Sequence, residues 1–292
     1  MAYPLTINCK PLLLTLISSI FMCYCIGQSS DSSLTTTTDS IITKKPSVTF
    51  AAIYSTNANY YGQVADEKMS YVALAATVQL PFGLYFTGLG YHLFGDSNWV
   101  SASAIGAGYE FHITKKLTAD FSYNHSFYPV NSPFIQASNT DIVSGNLVYE
   151  HIFSTGATFD YAFGKEASDY FFTLSNYKAF DFYTNHNKAI VSITPQLDIT
   201  AGTQRFLETY QTKKNNNKGN GKPTVPSGPP QTVTTEYTRF DLLSYNFNLP
   251  VSYSRGSYML ELSYQLSLLG NKVVSNPGST HSFFTASVYY QF

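Results

Sequence analysis

The stretch that most limits what this chain can become is Ser282–Phe292. Taken backwards at every second position it reads Phe292, Tyr290, Val288, Ala286 and Phe284, all apolar or aromatic, while the intervening Gln291, Tyr289, Ser287, Thr285 and Phe283 are mostly polar. A strand turns successive side chains to opposite faces, so this segment is a strand with one oily face and one wetter face. The same period recurs upstream, in Val72, Leu74, Ala76 and Val78, in Ala157, Phe159, Tyr161 and Phe163, and in Tyr258, Leu260, Leu262 and Tyr264. A chain built this way has many oily strand faces to hide or immerse at once.

Alternation and turn residues together predict twelve strands, at 47–55, 69–80, 84–94, 99–112, 117–127, 141–152, 156–164, 169–180, 188–210, 236–253 and 258–269, with the last ending at 292. Short turns such as Pro81-Phe82-Gly83 and Ser254-Arg255-Gly256-Ser257 alternate with longer loops. The ninth strand keeps its phase through Val191, Ile193, Pro195, Leu197 and Ile199, and Pro195 there requires a bulge or a missing ladder bond. Strands nine and ten are each about twice the ten or so residues that a crossing needs, which predicts a hairpin standing above the outer surface. Its tip, residues 211–235, carries Lys213, Lys214, Lys218 and Lys222 and no acid. Contact with anionic headgroups, polysaccharide or a partner is one reading, and a plain solvated loop is the simpler one.

Composition narrows the class. Charged residues make up 12% of the chain, about half the usual quarter, and the net charge of −1 offers nothing to nucleic acid. No apolar run beyond residue 30 is long enough for a membrane helix. Residues 1–27 read as a secretion signal, with Lys10 ahead of an apolar run and Gly27 at its end. Residues 28–46 are Ser- and Thr-rich and read as a disordered periplasmic tail. All three cysteines, Cys9, Cys23 and Cys25, lie in the leader, so the exported chain has no disulfide to hold it.

The closing segment resembles the last strand of bacterial outer-membrane β-barrels, which often end on Phe with Tyr two residues before it; here these are Phe292 and Tyr290, with Phe284 and Val288 on the same face. The overall pattern is similar to that of uncharacterised barrels of Bacteroidota. The resemblance implies an all-β, antiparallel up-and-down transmembrane β-barrel of about 12 strands over residues 47–292, in the outer membrane of a Gram-negative bacterium. It also implies outer-membrane lipid as surroundings, and periplasmic chaperones and the barrel assembly machinery as partners. Closure has a physical cause: hydrocarbon offers no partner to an exposed strand edge, and only a cylinder pairs every edge. A soluble sandwich would also alternate, but Tyr245, Tyr253, Tyr258, Tyr264 and Tyr290 recur near strand ends, where an interfacial girdle wants an apolar ring with a polar tip.

The inward phase carries mostly small or neutral residues, among them Ala73, Ala75, Thr118, Ser122, Ser263 and Ser287. Asp120, Glu150, Asp160 and Glu261 share that phase and lie near the predicted periplasmic turns, which predicts a partial acidic ring, with Asp198 higher in the lumen. The functional reading is a small passive diffusion pore with cation preference, passing ions or small solutes. A structural network with Lys188 and Arg255 as counter-ions is the competing account of the same acids. The alternative to a pore is a plugged structural or adhesion barrel that displays its loops. Enzyme signals are poor: the six histidines lack metal-ligand spacing and there is no GxSxG. Outer-membrane phospholipases carry His with Ser two residues on, whereas His125-Ser126 and His281-Ser282 are adjacent. No catalysis, metal or cofactor is expected.

Overall fold

The structure is a computed structural model that describes residues 45–64, 68–129, 133–134, 137–164, 168–184, 189–205, 239–273 and 277–292. The leader, most of the predicted tail, Lys188 and the lysines of the predicted outer loop (Lys213, Lys214, Lys218 and Lys222) lie outside these residues.

Fourteen strands form one antiparallel sheet: β1 (Ser47–Ser55), β2 (Tyr71–Gln79), β3 (Leu84–Leu93), β4 (Ala102–Thr114), β5 (Leu117–Phe127), β6 (Asp141–Glu150), β7 (Ser154–Phe163), β8 (Ser168–Tyr177), β9 (Phe180–Thr184), β10 (Ala189–Ile193), β11 (Gln196–Gly202), β12 (Asp241–Arg255), β13 (Tyr258–Leu269) and β14 (Thr280–Gln291). They amount to twelve staves, because two staves are broken. β9 continues the line of β8, and β10 continues into β11, so that β8 pairs with β11 and β9 with β10. The β12 strand runs along both β10 and β11 without change of register across the break.

The break is where the sequence placed it. Pro195 has no N–H, and the Thr194 N–H donates to the Pro250 carbonyl at 3.0 Å. Pro250 stands opposite Thr194 in β12, whereas the Pro195 carbonyl accepts from the Lys178 N–H on the other side (3.2 Å), so the two donor-less residues interrupt the ladders on the two sides of one stave at the same height. The gap left between the predicted strands 169–180 and 188–210 is corrected accordingly: Phe180–Thr184 is strand, and β10 begins at Ala189. The predicted ninth strand also ends earlier, at Gly202, with Thr203 and Gln204 buried beyond it.

Every stave pairs with its two sequence neighbours, and the first and last pair with each other. Phe50 faces Tyr290, Ala52 faces Val288 and Tyr54 faces Ala286 across that seam. The sheet is therefore a closed up-and-down cylinder with no free edge along the twelve staves.

Its outside is apolar throughout its height. Leu74, Leu262, Phe284, Phe121 and Ile105 all stand mostly exposed on the outward phase, Leu74 at 65% and Leu262 at 67%. A soluble protein does not present such a continuous apolar belt; a lipid bilayer is the solvent it fits. Aromatic side chains pair along the rim where Tyr258 meets Tyr290 at 4.7 Å and Tyr290 meets Phe292 at 4.6 Å. The outward acid Asp141, at the opposite rim, is held by Tyr123 (2.6 Å), Thr140 (2.7 Å) and His125 (2.7 Å). The fold is that of an outer-membrane β-barrel, with its short turns on the periplasmic side and its longer loops outside.

Candidate functional site: a plugged mouth above an acidic chamber

The described residues 56–64 of the connection between β1 and β2 turn inward. It is pinned at its root, where the Met69 N–H donates to Asn57 Oδ1 (2.8 Å) and Ala58 N–H to the Met69 carbonyl (2.8 Å). From there it dips into the barrel. Tyr60 and Gln63 exchange backbone hydrogen bonds (2.8 and 3.0 Å) around a tight turn with Tyr61 at φ 50° and Gly62 at φ 86°. Positive φ suits glycine, and space demands it as well: a Cβ on Gly62 would lie 2.8 Å from both Cβ and Oγ of Ser244.

The tip reaches the far wall. Tyr61 Oη donates to Asp160 Oδ2 of β7 at 2.8 Å, its ring stacks on Phe171 of β8 at 3.8 Å and 16°, and Ser244 Oγ of β12 donates to the Tyr61 carbonyl at 2.9 Å. Tyr60 meets Phe171 edge-on at 5.5 Å. All of this lies just inside the outer rim. The layer is completed by Tyr71, Tyr91, Leu93 and Leu243, and by Phe134 from the β5–β6 loop, which meets Tyr91 at 5.9 Å. Asp169 fastens the neighbouring loops to the wall, accepting from Asn139 Nδ2 (3.0 Å), Thr203 Oγ1 (2.5 Å) and the Arg205 N–H (2.8 Å). The outer half of the interior is thus a small hydrophobic core with buried anchors.

Below it the lining changes character. Thr87, Ser122, Asn146, Ser175, Gln196, Asn248 and Ser287 face inward, with Asp120, Asp198 and Glu261 buried among them; Asp160 and Asp169, in the layer above, bring the buried carboxylates of the interior to five. Among the described residues no lysine, arginine or histidine is buried with them. The predicted inward phase of Asp120, Glu150, Asp160, Glu261 and Asp198 is the one observed. Asp120 and Glu261 stand close above the periplasmic turns that begin β5 and β13, on opposite sides of the ring of staves. Glu150 ends β6 at the periplasmic rim, half-buried.

The ring is not level, however. Asp160 is paired across from Ser144 and Phe171 in the outer half of β7, and it serves the plug. Asp198, on β11, is held by Gln196 Nε2 and Asn248 Nδ2 at 2.7 Å each. Arg255 is exposed and in phase with the lipid-facing Tyr253, so it does not face these acids.

Two functional features escaped the sequence. Glu110, on β4, faces inward directly opposite Asp120; the signal was its even spacing from Ala104 and Gly106. The plug loop had none, since Asn57, Asn59 and Gly62 are ordinary turn residues.

The sequence matches no protein-family model and no curated protein. Among solved structures, the chain is similar to the KdgM porin (TM-score 0.44, 10% identity, covering 84% of this chain and 99% of that one). It is also similar to the NanC porin (0.43, 8%, 83% and 98%) and to an outer membrane channel from Pseudomonas putida F1 (0.43, 11%, 85% and 96%).

Proposed function

We propose that this barrel is a narrow passive pore of the outer membrane that prefers cations and is constricted at its outer mouth by the β1–β2 loop. The observation that carries the reading is the charge of the interior: five buried carboxylates and, among the described residues, no lysine, arginine or histidine buried as a whole, the half-buried Arg205 beside Asp169 standing at the outer end of its stave. Unit charges of one sign in a low-dielectric wall repel one another and any anion, and they are relieved by water and mobile cations. An anionic solute finds no partner there.

The test is conductance of the refolded barrel in a planar bilayer, with the reversal potential read across a salt gradient. A cation-selective current is expected, and Asp120→Asn with Glu261→Gln should move the reversal potential toward zero. Silence from correctly folded protein removes the pore, and selectivity indifferent to the double substitution removes the role of the acids. The plug favours a second reading, a closed barrel that displays its loops, and permanent silence would leave that one standing. We propose no catalytic role; turnover of outer-membrane lipid by the purified barrel would overturn that.

A further inference from the structure

The lipid-facing wall changes where the first and last staves close the cylinder. There its outward phase carries two small side chains on a diagonal. Ala52 of β1 stands opposite Val288 of β14, and one step along the seam Ala286 of β14 stands opposite Tyr54 of β1. The two rows run on across β13 and β12: Val288 pairs with Leu260 and Leu260 with Tyr253, while Ala286 pairs with Leu262 and Leu262 with Val251. Between the rows lies a furrow of about 620 Å³, reaching from Val72 of β2 to Val191 of β10. Its floor is the backbone of Ile53, Ser287, Glu261 and Ser252, whose side chains are buried on the inward phase. A one-carbon side chain leaves the pleat uncovered where the leucines and tyrosines around it do not.

At this height the surroundings are hydrocarbon, so the furrow is filled by an acyl chain or by another protein. The charge beside it decides between them. Arg255 follows Tyr253 by two residues on β12, about 7 Å at the usual strand rise, and stands exposed on the same outward face, nearer the periplasmic rim. Its cross-strand partner is Tyr258, which is 60% exposed and meets the Tyr290 ring at 4.7 Å. Neither Tyr253 nor Tyr258 offers a counter-charge. A guanidinium at the membrane edge, flanked by two phenols, matches the phosphodiester of a lipid headgroup: it gives two parallel N–H donors, and the phenols add neutral ones. Among the described residues the outward-facing acid of the staves is Asp141, at the opposite rim. A second copy alongside in the same membrane therefore brings Arg255 no anion.

We propose that the outer face of the β1–β14 seam is a binding site for one glycerophospholipid of the periplasmic leaflet. One acyl chain lies in the furrow over Ala52 and Ala286, the phosphate sits on Arg255, and the glycerol and ester groups span the row between them. Apolar contact along the furrow supplies most of the affinity, and the phosphate fixes which end of the lipid lies at the rim. The site is on the outside of the wall, so it stands whether or not the barrel conducts.

The test is native mass spectrometry of the full-length barrel, refolded in detergent and titrated with dipalmitoylphosphatidylglycerol, or with dipalmitoylglycerol, which has the chains without the phosphate. One phosphatidylglycerol is expected to stay bound under activation that strips the others, and dipalmitoylglycerol to bind more weakly. Arg255→Gln should weaken phosphatidylglycerol binding roughly tenfold, the value of a charge-assisted hydrogen bond. Ala52→Leu with Ala286→Leu fills the furrow and should weaken both lipids, whereas Ala76→Leu, lipid-facing on β2 but outside the furrow, should change neither. Heat-resistant migration in detergent certifies that each variant is closed; were the double variant not to close, Arg255→Gln decides alone. Absence of a retained phospholipid overturns the proposal, as does retention that Arg255→Gln and the double variant leave unchanged. Equal retention of dipalmitoylglycerol removes the phosphate from Arg255 and overturns it too. Dimers that the double variant disperses would put a second copy of the chain in the furrow in place of a lipid.

Discussion

The outer and inner halves of this barrel interior are lined by the same staves, yet they are organised as opposites. The outer half is packed: Tyr60, Tyr61, Tyr71, Tyr91, Phe134 and Phe171 fill it, and the polar groups there mostly serve as anchors. The inner half is lined by serine, threonine, asparagine and carboxylates on small side chains. A cylinder of twelve staves is intermediate between a filled barrel and an open channel. This chain uses both solutions, one above the other. The filled half rests on a borrowed element, a loop, whereas the polar half is made by the wall alone. The obstruction is therefore separable from the barrel in a way that a side-chain-filled core is not.

Shortening the plug is the largest intervention on that contrast. Replacing residues 58–63 by a short glycine linker should raise single-channel conductance several-fold while heat-resistant migration in detergent shows the barrel still closed; unchanged conductance would mean the constriction lies elsewhere. Gly62→Val attacks the same loop by one residue. Left-handed backbone costs a β-branched residue about 1–2 kcal/mol or more, and the added carbon meets Ser244, so frequent opening events are expected in the current trace. Tyr61→Phe removes the bond to Asp160 but keeps the stack on Phe171. Hydrogen bonds to charged groups are worth about 1.5–3 kcal/mol, and faster amide exchange in residues 58–63 than in wild type is the measure.

The smallest effect belongs to the outer rim itself. In the β3–β4 loop the Ser101 hydroxyl, with the Asn98 backbone and side chain, holds Asp96 below its ordinary value. A carboxylate depressed in the folded state contributes stability that is present above the unfolded value and lost as pH falls through the folded one. That loop should loosen only in acid below the usual carboxylate range, Asp96→Asn should abolish the dependence, and the inner chamber should not respond. Amide exchange of Asn98 against pH reads it.

Much of the wall was legible in the chain. Period-two alternation is a local signal, and lipid outside makes it strict, so the inward phase of Asp120, Asp160, Asp198 and Glu261 followed from counting. The penultimate strand was legible to the residue, at Tyr258–Leu269, and the last, read over 282–292, is offset by one or two residues at Thr280–Gln291. Where the wall bends, counting lost its grip: Pro195 was visible, but the placing of Pro250 opposite its neighbour Thr194 is a cross-strand fact that no window of sequence contains. The plug was illegible for the same reason. Tyr61 meets Asp160 ninety-nine positions away and Ser244 farther still, and nothing local distinguishes a loop that turns inward from one that turns out. The levels of the acids suffered likewise, because strand stagger around the ring shifts equal sequence depth to unequal height.

The pairing of β1 with β14 has one more consequence. Those two staves come from opposite ends of the described chain, so the contact that abolishes the last raw margins spans more of the polypeptide than any other in the wall. Until it forms, any partial sheet has two borders of unmet N–H and C=O groups, tolerable in water and ruinous in hydrocarbon. The protein therefore has no stable half-built form inside a bilayer: its entry into lipid and the zipping of its final seam are one event.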